Sequence, residues 1–283
     1  MKIGRFEVEQ LSEGIFEVFE DGTFQKMDAE DITSKKAETE VPRNSTPIGI
    51  DPLLITDGNR VILLDTGLGW GLDSKSNYTD TSNLKTNLDI FGLTPDDVTH
   101  VVLSHLHFDH AAGSTFVDGK ATTQPTLPNA NYFVQKLEWH YAIQRVGERN
   151  PVKGGDYNMD ELYKLHAEEK LVLITDTYFE LVPGITLIKT GGHTPGHQIV
   201  KIQDGGETAY FLGDLVPNEH HLNHYSMKQM DIDPLQSKKA KTLILRQAVK
   251  EKAALFFYHS IHIKNGVLVQ DEEKRYALLE IME

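Results

Sequence analysis

The stretch HVVLSHLHFDH, residues 100–110, sets an apolar strand directly against three histidines and an aspartate. The chain carries only 13 histidines in 283 residues, so this run concentrates a scarce side chain. Chance clustering on a polar loop is a poor account of it. The run follows an apolar strand, the place where α/β proteins put their sites. His105 and His107 are two apart, and an extended backbone points both the same way. A turn after His107 aims Asp109 and His110 at a neighbouring point. Gly113 permits a tight turn into the next element. Four donors of borderline or hard character then face a region wide enough for two cations.

One run leaves two cations under-coordinated. Further His, Asp or Glu side chains must arrive from the ends of later strands. Three stretches qualify: KTGGHTPGHQ with His193, YFLGD with Asp214, and ALFFYH with His259. A carboxylate at 214 can bridge two cations. His262 lies three residues beyond His259 and is its rival.

Composition narrows the chemistry. There is no cysteine, which removes disulfides, thiolate nucleophiles and Cys-based zinc sites. Imidazole and carboxylate must hold any transition metal. The net charge of −14, from 28 basic and 42 acidic side chains, repels a phosphate backbone, so nucleic acid is not an expected partner. No apolar run approaches the roughly 20 residues of a membrane helix, and no membrane association is expected. The opening MKIGRFEVEQ lacks the apolar segment of a signal peptide, so the expected location is cytoplasmic.

Residues 1–283 read as one domain, with no linker and no internal repeat. Alternation over 5–11 and 14–20 predicts a hairpin turning at Ser12–Gly14. The polar, proline-broken segment 21–47 reads as a loop or projecting arm. Ordering it is costly unless it packs on something, which points to a homodimer or to the active-site mouth. PLLITDG and RVILLDTG predict paired strands. Helices are expected at 83–91, from Pro95, at 136–146, 159–170, 237–253 and 271–282. The remaining apolar runs predict strands. Tyr132, Phe133, Phe256 and Phe257 are expected in the core.

In this order HLHFDH, GGHTPGH, FLGD and FFYH resemble the metallo-β-lactamase superfamily in its binuclear metallohydrolase branch. The resemblance runs from LLDTG at 63–67 to His259. It implies an α/β fold, a four-layer αβ/βα sandwich of two mixed sheets with outer helices and the site at one sheet edge. It implies His105, His107 and His193 on a first metal, Asp109, His110 and His259 on a second, and Asp214 bridging both. Asp65 resembles the family aspartate that steadies the ligand loop without touching metal. The implied cofactors are two divalent metal ions, zinc first, with manganese, iron or cobalt accepted by the same donors. The implied reaction is hydrolysis of a small-molecule ester or lactone by a metal-bridging hydroxide, with Asp109 as the catalytic proton carrier. Phosphotriester and thioester hydrolysis are the runners-up. A non-catalytic metal-binding sensor is the alternative from another class, and it predicts a closed pocket.

Three departures matter. Ser260 replaces the aspartate that often follows the last ligand. The absent cysteine ligand argues against antibiotic hydrolysis. Pro217 stands where acyl-homoserine lactonases place a tyrosine, so the resemblance is lactonase or methyl-parathion-hydrolase-like in breadth. Trp70, His220, His221, His224 and Tyr225 are the candidates to line a substrate pocket. His197 reads as structural, and His100, His140 and His166 as surface or packing residues.

Overall fold

The computed structural model describes residues 1–20, 22–27, 45–145, 157, 159, 162–223, 227–228, 230–273 and 275–279. Strict alternation along the apolar runs decides its layers. Leu53, Ile55, Ile62, Leu64 and Val102 face one way, into a core shared with Leu187, Val200, Phe211 and Phe256. Their neighbours Leu54, Leu63 and Val101 face the other way, against Leu84, Leu88, Trp139, Ala142 and Leu165 of three helices. A strand buried on both faces needs this near-continuous apolar sequence.

The first sheet orders its strands Lys2–Ile3, Phe6–Gln10, Leu53–Thr56, Val61–Leu64, His100–Val102, Asn131–Gln135 and Leu171–Ile174. Its last four run parallel and the others antiparallel. The second sheet orders Tyr178–Val182, Ile185–Lys189, Gln198–Asp204, Glu207–Phe211, Ala254–Phe256, Asn265–Gln270 and Tyr276–Leu279. Only Glu207–Phe211 and Ala254–Phe256 pair in parallel there. Helices Leu84–Ile90, Lys136–Gln144 and Leu162–Ala167 cover the first sheet. Pro234–Glu251 covers the second, placing Ala240, Leu245 and Ala248 on Ile199, Tyr210 and Leu255. The result is the expected αβ/βα sandwich of two mixed sheets. The expected core residues Tyr132, Phe256 and Phe257 are buried, and Phe133 is partly so.

Local chemistry explains the element ends. Asn83 caps the helix Leu84–Ile90, accepting from Lys85 N and Thr86 N at 3.0 and 3.2 Å. Thr94 precedes a single 3-10 turn, Pro95–Asp97, where a helix start was expected. The long helix begins at Pro234 rather than 237, because Asp233 caps it through Gln236 N at 3.0 Å.

Three expectations need correction. The segments 5–11 and 14–20 do not form a hairpin. Phe6–Gln10 pairs with Leu53–Thr56, while Gly14–Phe19 pairs with Ser45–Ile50. Residues 11–13 mark a corner, where Leu11 N donates to Pro52 O and Glu13 N to Ile50 O. A distant strand outcompetes the local turn that Ser12–Gly14 suggests. The arm is strand at both ends: Phe24–Lys26 and Ser45–Ile50 flank Gly14–Phe19 in a small three-stranded sheet. Residues 21 and 28–44 lie outside the described residues. Finally, 271–282 is not a helix over its described part. Tyr276–Leu279 is an edge strand beside Asn265–Gln270. The helix formers Glu272 and Glu273 sit in the connecting turn, closed by Asp271 N donating to Arg275 O, so tertiary pairing overrides propensity.

No described helix is long and apolar enough to cross a membrane.

Candidate metal centre

Each candidate ligand sits where an apolar strand runs out. The strand His100–Val102 delivers His105 and His107, and a short helix, Phe108–Ala111, turns Asp109 and His110 inward. Ile185–Lys189, Glu207–Phe211 and Ala254–Phe256 end just before His193, Asp214 and His259. The five imidazoles are at most 6% exposed.

The structure brings all seven side chains together. His107 Nδ1 lies 2.9 Å from His105 Nε2 and 3.1 Å from His193 Nε2. On the other side His110 Nε2 lies 3.1 Å from His259 Nε2, and Asp109 Oδ2 lies 3.4 Å from His259 Nε2. Asp214 spans the two groups. Its Oδ2 is 3.2 Å from His193 Nε2, and its Oδ1 is 3.2 and 3.4 Å from His259 and His110 Nε2. Within the trio His105, His107 and His193, and within the trio Asp109, His110 and His259, the donor atoms lie within 4.8 Å of one another.

Does this donor set fit a cation? Nitrogen lone pairs crowded around one point repel unless a proton or a metal sits between them. Imidazole ligands about 2.0–2.1 Å from a tetrahedral zinc stand roughly 3.3 Å apart. The contacts of 2.9–3.4 Å match that edge closely. With no cysteine in the chain, an imidazole and carboxylate set suits zinc, manganese, iron or cobalt.

The far ring nitrogens are fixed as well. Asp65 Oδ2 is 2.8 Å from His110 Nδ1, and Asp65 also accepts from Ser104 N and Ser104 Oγ at 2.6 and 2.7 Å. Asp65 itself has a φ of 59°, a strained conformation for a residue with a Cβ. Asp231 Oδ1 is 3.1 Å from His193 Nδ1. The backbone carbonyl of Gly49 takes His259 Nδ1 at 2.8 Å. Such partners set imidazole tautomer and direction.

Charge differs between the trios. Burial, then His110 and His107, holds His105 well below the usual imidazole range. Burial also pushes His193 down. On His110 burial opposes the charge, but Asp109, Asp65 and Asp214 outweigh it and hold it well above that range. For Asp214 burial opposes ionisation, yet His259, His193 and His110 keep it well below the usual carboxylate range.

The other predicted residues divide. His197 is fully buried and joins neither trio; its Nε2 accepts from Asp214 N at 3.0 Å, so its Nδ1 carries the proton towards Thr190 Oγ1 at 2.8 Å. His262 is exposed. Trp70 stacks on Tyr78 at 4.1 Å and meets Phe16 edge-on at 5.4 Å, a packing role at least. The side chain of His220 is 80% exposed. His221 is half-buried, and burial, then Lys228 and Lys241, pushes it down to about 4. His224 and Tyr225 lie outside the described residues. Pro217 offers its carbonyl to His259 N at 2.9 Å, so it helps place that imidazole. His166 stacks on Trp139 and His100 on Phe133, as packing residues do.

Sequence reading missed Asp231, Glu138 and Glu13. Asp231 sits in a polar loop, and a lone aspartate there carries no signal of its partner. Glu138 is fully buried at the start of a helix. Glu13 is 1% exposed and accepts Leu68 N at 2.9 Å. Burial pushes its carboxyl up to about 8, against the pull of the Leu68 N–H and Lys26.

Known proteins resemble this chain in sequence and fold. N-acyl homoserine lactonase AiiA of Bacillus thuringiensis subsp. kurstaki is 28% identical over 197 residues, 69% of this chain and 68% of that protein. N-acyl homoserine lactonase AttM of Rhizobium radiobacter is 33% identical over 115 residues, 40% of this chain and 38% of its own length. A probable metal-dependent hydrolase from Staphylococcus aureus superposes with a TM-score of 0.75 and 28% identity over 100% of both chains. The dizinc quorum-quenching lactonase AidC shares the fold, with a TM-score of 0.69 and 20% identity over 100% of this chain and 97% of that one. Residues 46–259 match the metallo-β-lactamase superfamily, and the chain belongs to that superfamily.

Proposed function

We propose that the chain is a metal-dependent hydrolase that opens a small-molecule lactone or ester, using two divalent cations, zinc first. His105, His107 and His193 would hold one cation, Asp109, His110 and His259 the other, with Asp214 shared. One observation carries the reading: seven donor side chains from two sheets converge, with one oxygen of Asp214 turned to each trio. The relatives named lactonases support the bond type.

Bound there, the cations would lower the pKa of water to about 7 and polarise the scissile carbonyl. The chain's own residues do the rest. Asp214 sets the distance between the two positions. Asp65, Asp231 and the Gly49 carbonyl hold three imidazoles in one tautomer each. Asp109 is the proton carrier. Its side chain is 16% exposed, and Tyr258 pins its backbone by donating to Asp109 O at 2.6 Å. Water oxygen joins the carbonyl carbon as its proton passes to the Asp109 carboxylate, the ester C–O bond breaks, and Asp109 returns that proton to the departing oxygen. In a lactone that oxygen stays tethered, and the product is a hydroxy acid. Trp70, His220 and His221 are the described residues among those proposed to line the substrate pocket.

The test is a metal titration joined to a substrate panel. Two equivalents of zinc or manganese and turnover of lactones, N-acyl homoserine lactones first, are expected. Aryl esters, phosphotriesters and thioesters serve as comparisons. A chain that binds no metal, or that gains no hydrolysis when loaded, defeats the proposal. Asp109→Asn with undiminished turnover would remove the proton-carrier role alone.

A further inference from the structure

Glu138 is the third residue of the helix Lys136–Gln144, and its side chain is fully buried. A buried carboxylate is costly unless its oxygens are well bonded. Here each oxygen reaches a different loop. Oε1 accepts from Leu106 N at 3.1 Å. Oε2 accepts from Thr194 Oγ1 at 2.6 Å and from Gly196 N at 3.1 Å. Leu106 lies between His105 and His107, and Thr194 follows His193. Gly196 makes the approach feasible, since a Cβ there would fall 2.3 Å from Glu138 N. The two loops belong to different sheets, and the carboxylate ties them together.

All three donors flank the trio His105, His107 and His193. None flanks Asp109, His110 or His259. We infer that Glu138 is a positioning residue for the first trio alone: it sets the spacing of those three imidazoles, and with it the metal affinity of that position. The inference rests on the ligand assignment proposed above.

Glutamine discriminates this role from simple space filling. It has nearly the same shape, but its amide offers one oxygen and one NH2. Whichever way it turns, its NH2 meets a backbone N–H, Leu106 N on one side or Gly196 N on the other, and that hydrogen bond is lost. The experiment measures zinc release into chelator-buffered solutions, in backgrounds that keep one trio each. His259→Ala isolates the first trio and His193→Ala the second. Adding Glu138→Gln to His259→Ala is expected to raise the free zinc at half-release by about 10–100-fold, the range for partners that orient a ligand. Adding it to His193→Ala is expected to leave half-release unchanged. Thermal melts of the metal-free proteins report folding separately. If Glu138→Gln does not fold, Thr194→Val removes one donor and is expected to shift release in the same background only, with Thr194→Ser restoring it. Equal weakening of both trios, or of neither, overturns the inference. A wild-type chain that takes up no zinc overturns the ligand assignment itself, and this inference with it.

Discussion

The two sheets furnish the centre in different ways. The first supplies four donors from one run of six residues, His105 to His110. The second supplies three, each from a separate strand end: His193, Asp214 and His259. In the run, the donors are neighbours in sequence, and Asp65, Glu138 and Tyr258 steady that one segment from outside. On the second sheet, aim depends on the register of neighbouring strands, including the parallel pairing of Ala209–Phe211 with Ala254–Phe256. The lesson is a division of labour. The run defines where the centre is, and the strand ends close it.

Substitutions can break that comparison, beginning with the residue common to both trios. Asp214→Ala is expected to cost the most, about 1,000-fold or more in kcat/KM, because a cation contributes several kcal/mol of charge stabilisation. Metal analysis should find both equivalents weakened. His193→Ala and His259→Ala come next. Each is expected to lose one equivalent, the one in its own trio, and loss of both in either variant would contradict separate trios. Outer partners should matter less. Asp231→Asn and Asp65→Asn are each expected to lower metal affinity about 10–100-fold, through His193 and His110 respectively.

The effect furthest from the metal centre falls on stability and concerns Glu13, which accepts Leu68 N in the loop that follows Asp65. Burial raises its carboxyl from 4.5 to about 8 in the folded chain. Between those values the folded state binds a proton that the unfolded state has released. Stability from this group is therefore full below pH 4.5 and declines as pH rises towards about 8, by a few kcal/mol at most. Glu13→Gln should flatten that slope in denaturant melts. An unchanged slope would show that Glu13 is not the titrating group.

The legible parts of the molecule are those where spacing and chemistry coincide. The unbroken apolar runs Val61–Leu64 and Val101–Leu103 encode burial on both faces, which already implies layers. The histidine run and the three strand ends needed only the rule that sites lie where strands stop. The hairpin at 12–14 misled because its turn residues are real, yet they serve a corner between two sheets and not a reversal. The segment 271–282 reads as helical because Glu272, Glu273 and Lys274 lead into Ala277, Leu278 and Leu279, which favour helices wherever no partner strand competes. Glu138 and Asp231 escaped because their meaning lies in what they touch. A glutamate in a helix and an aspartate in a loop are commonplace until the chain brings Leu106 and His193 to them.

The carbonyl of Gly49 sets a requirement for protein design. It belongs to the small three-stranded sheet, outside both large ones, yet it dictates which nitrogen of His259 is left to face the centre. Grafting the seven donors onto another sandwich would transfer the cluster without this instruction. The transplanted imidazole could then present either nitrogen, and a faithful graft must carry the strand Ser45–Ile50 along with the ligands.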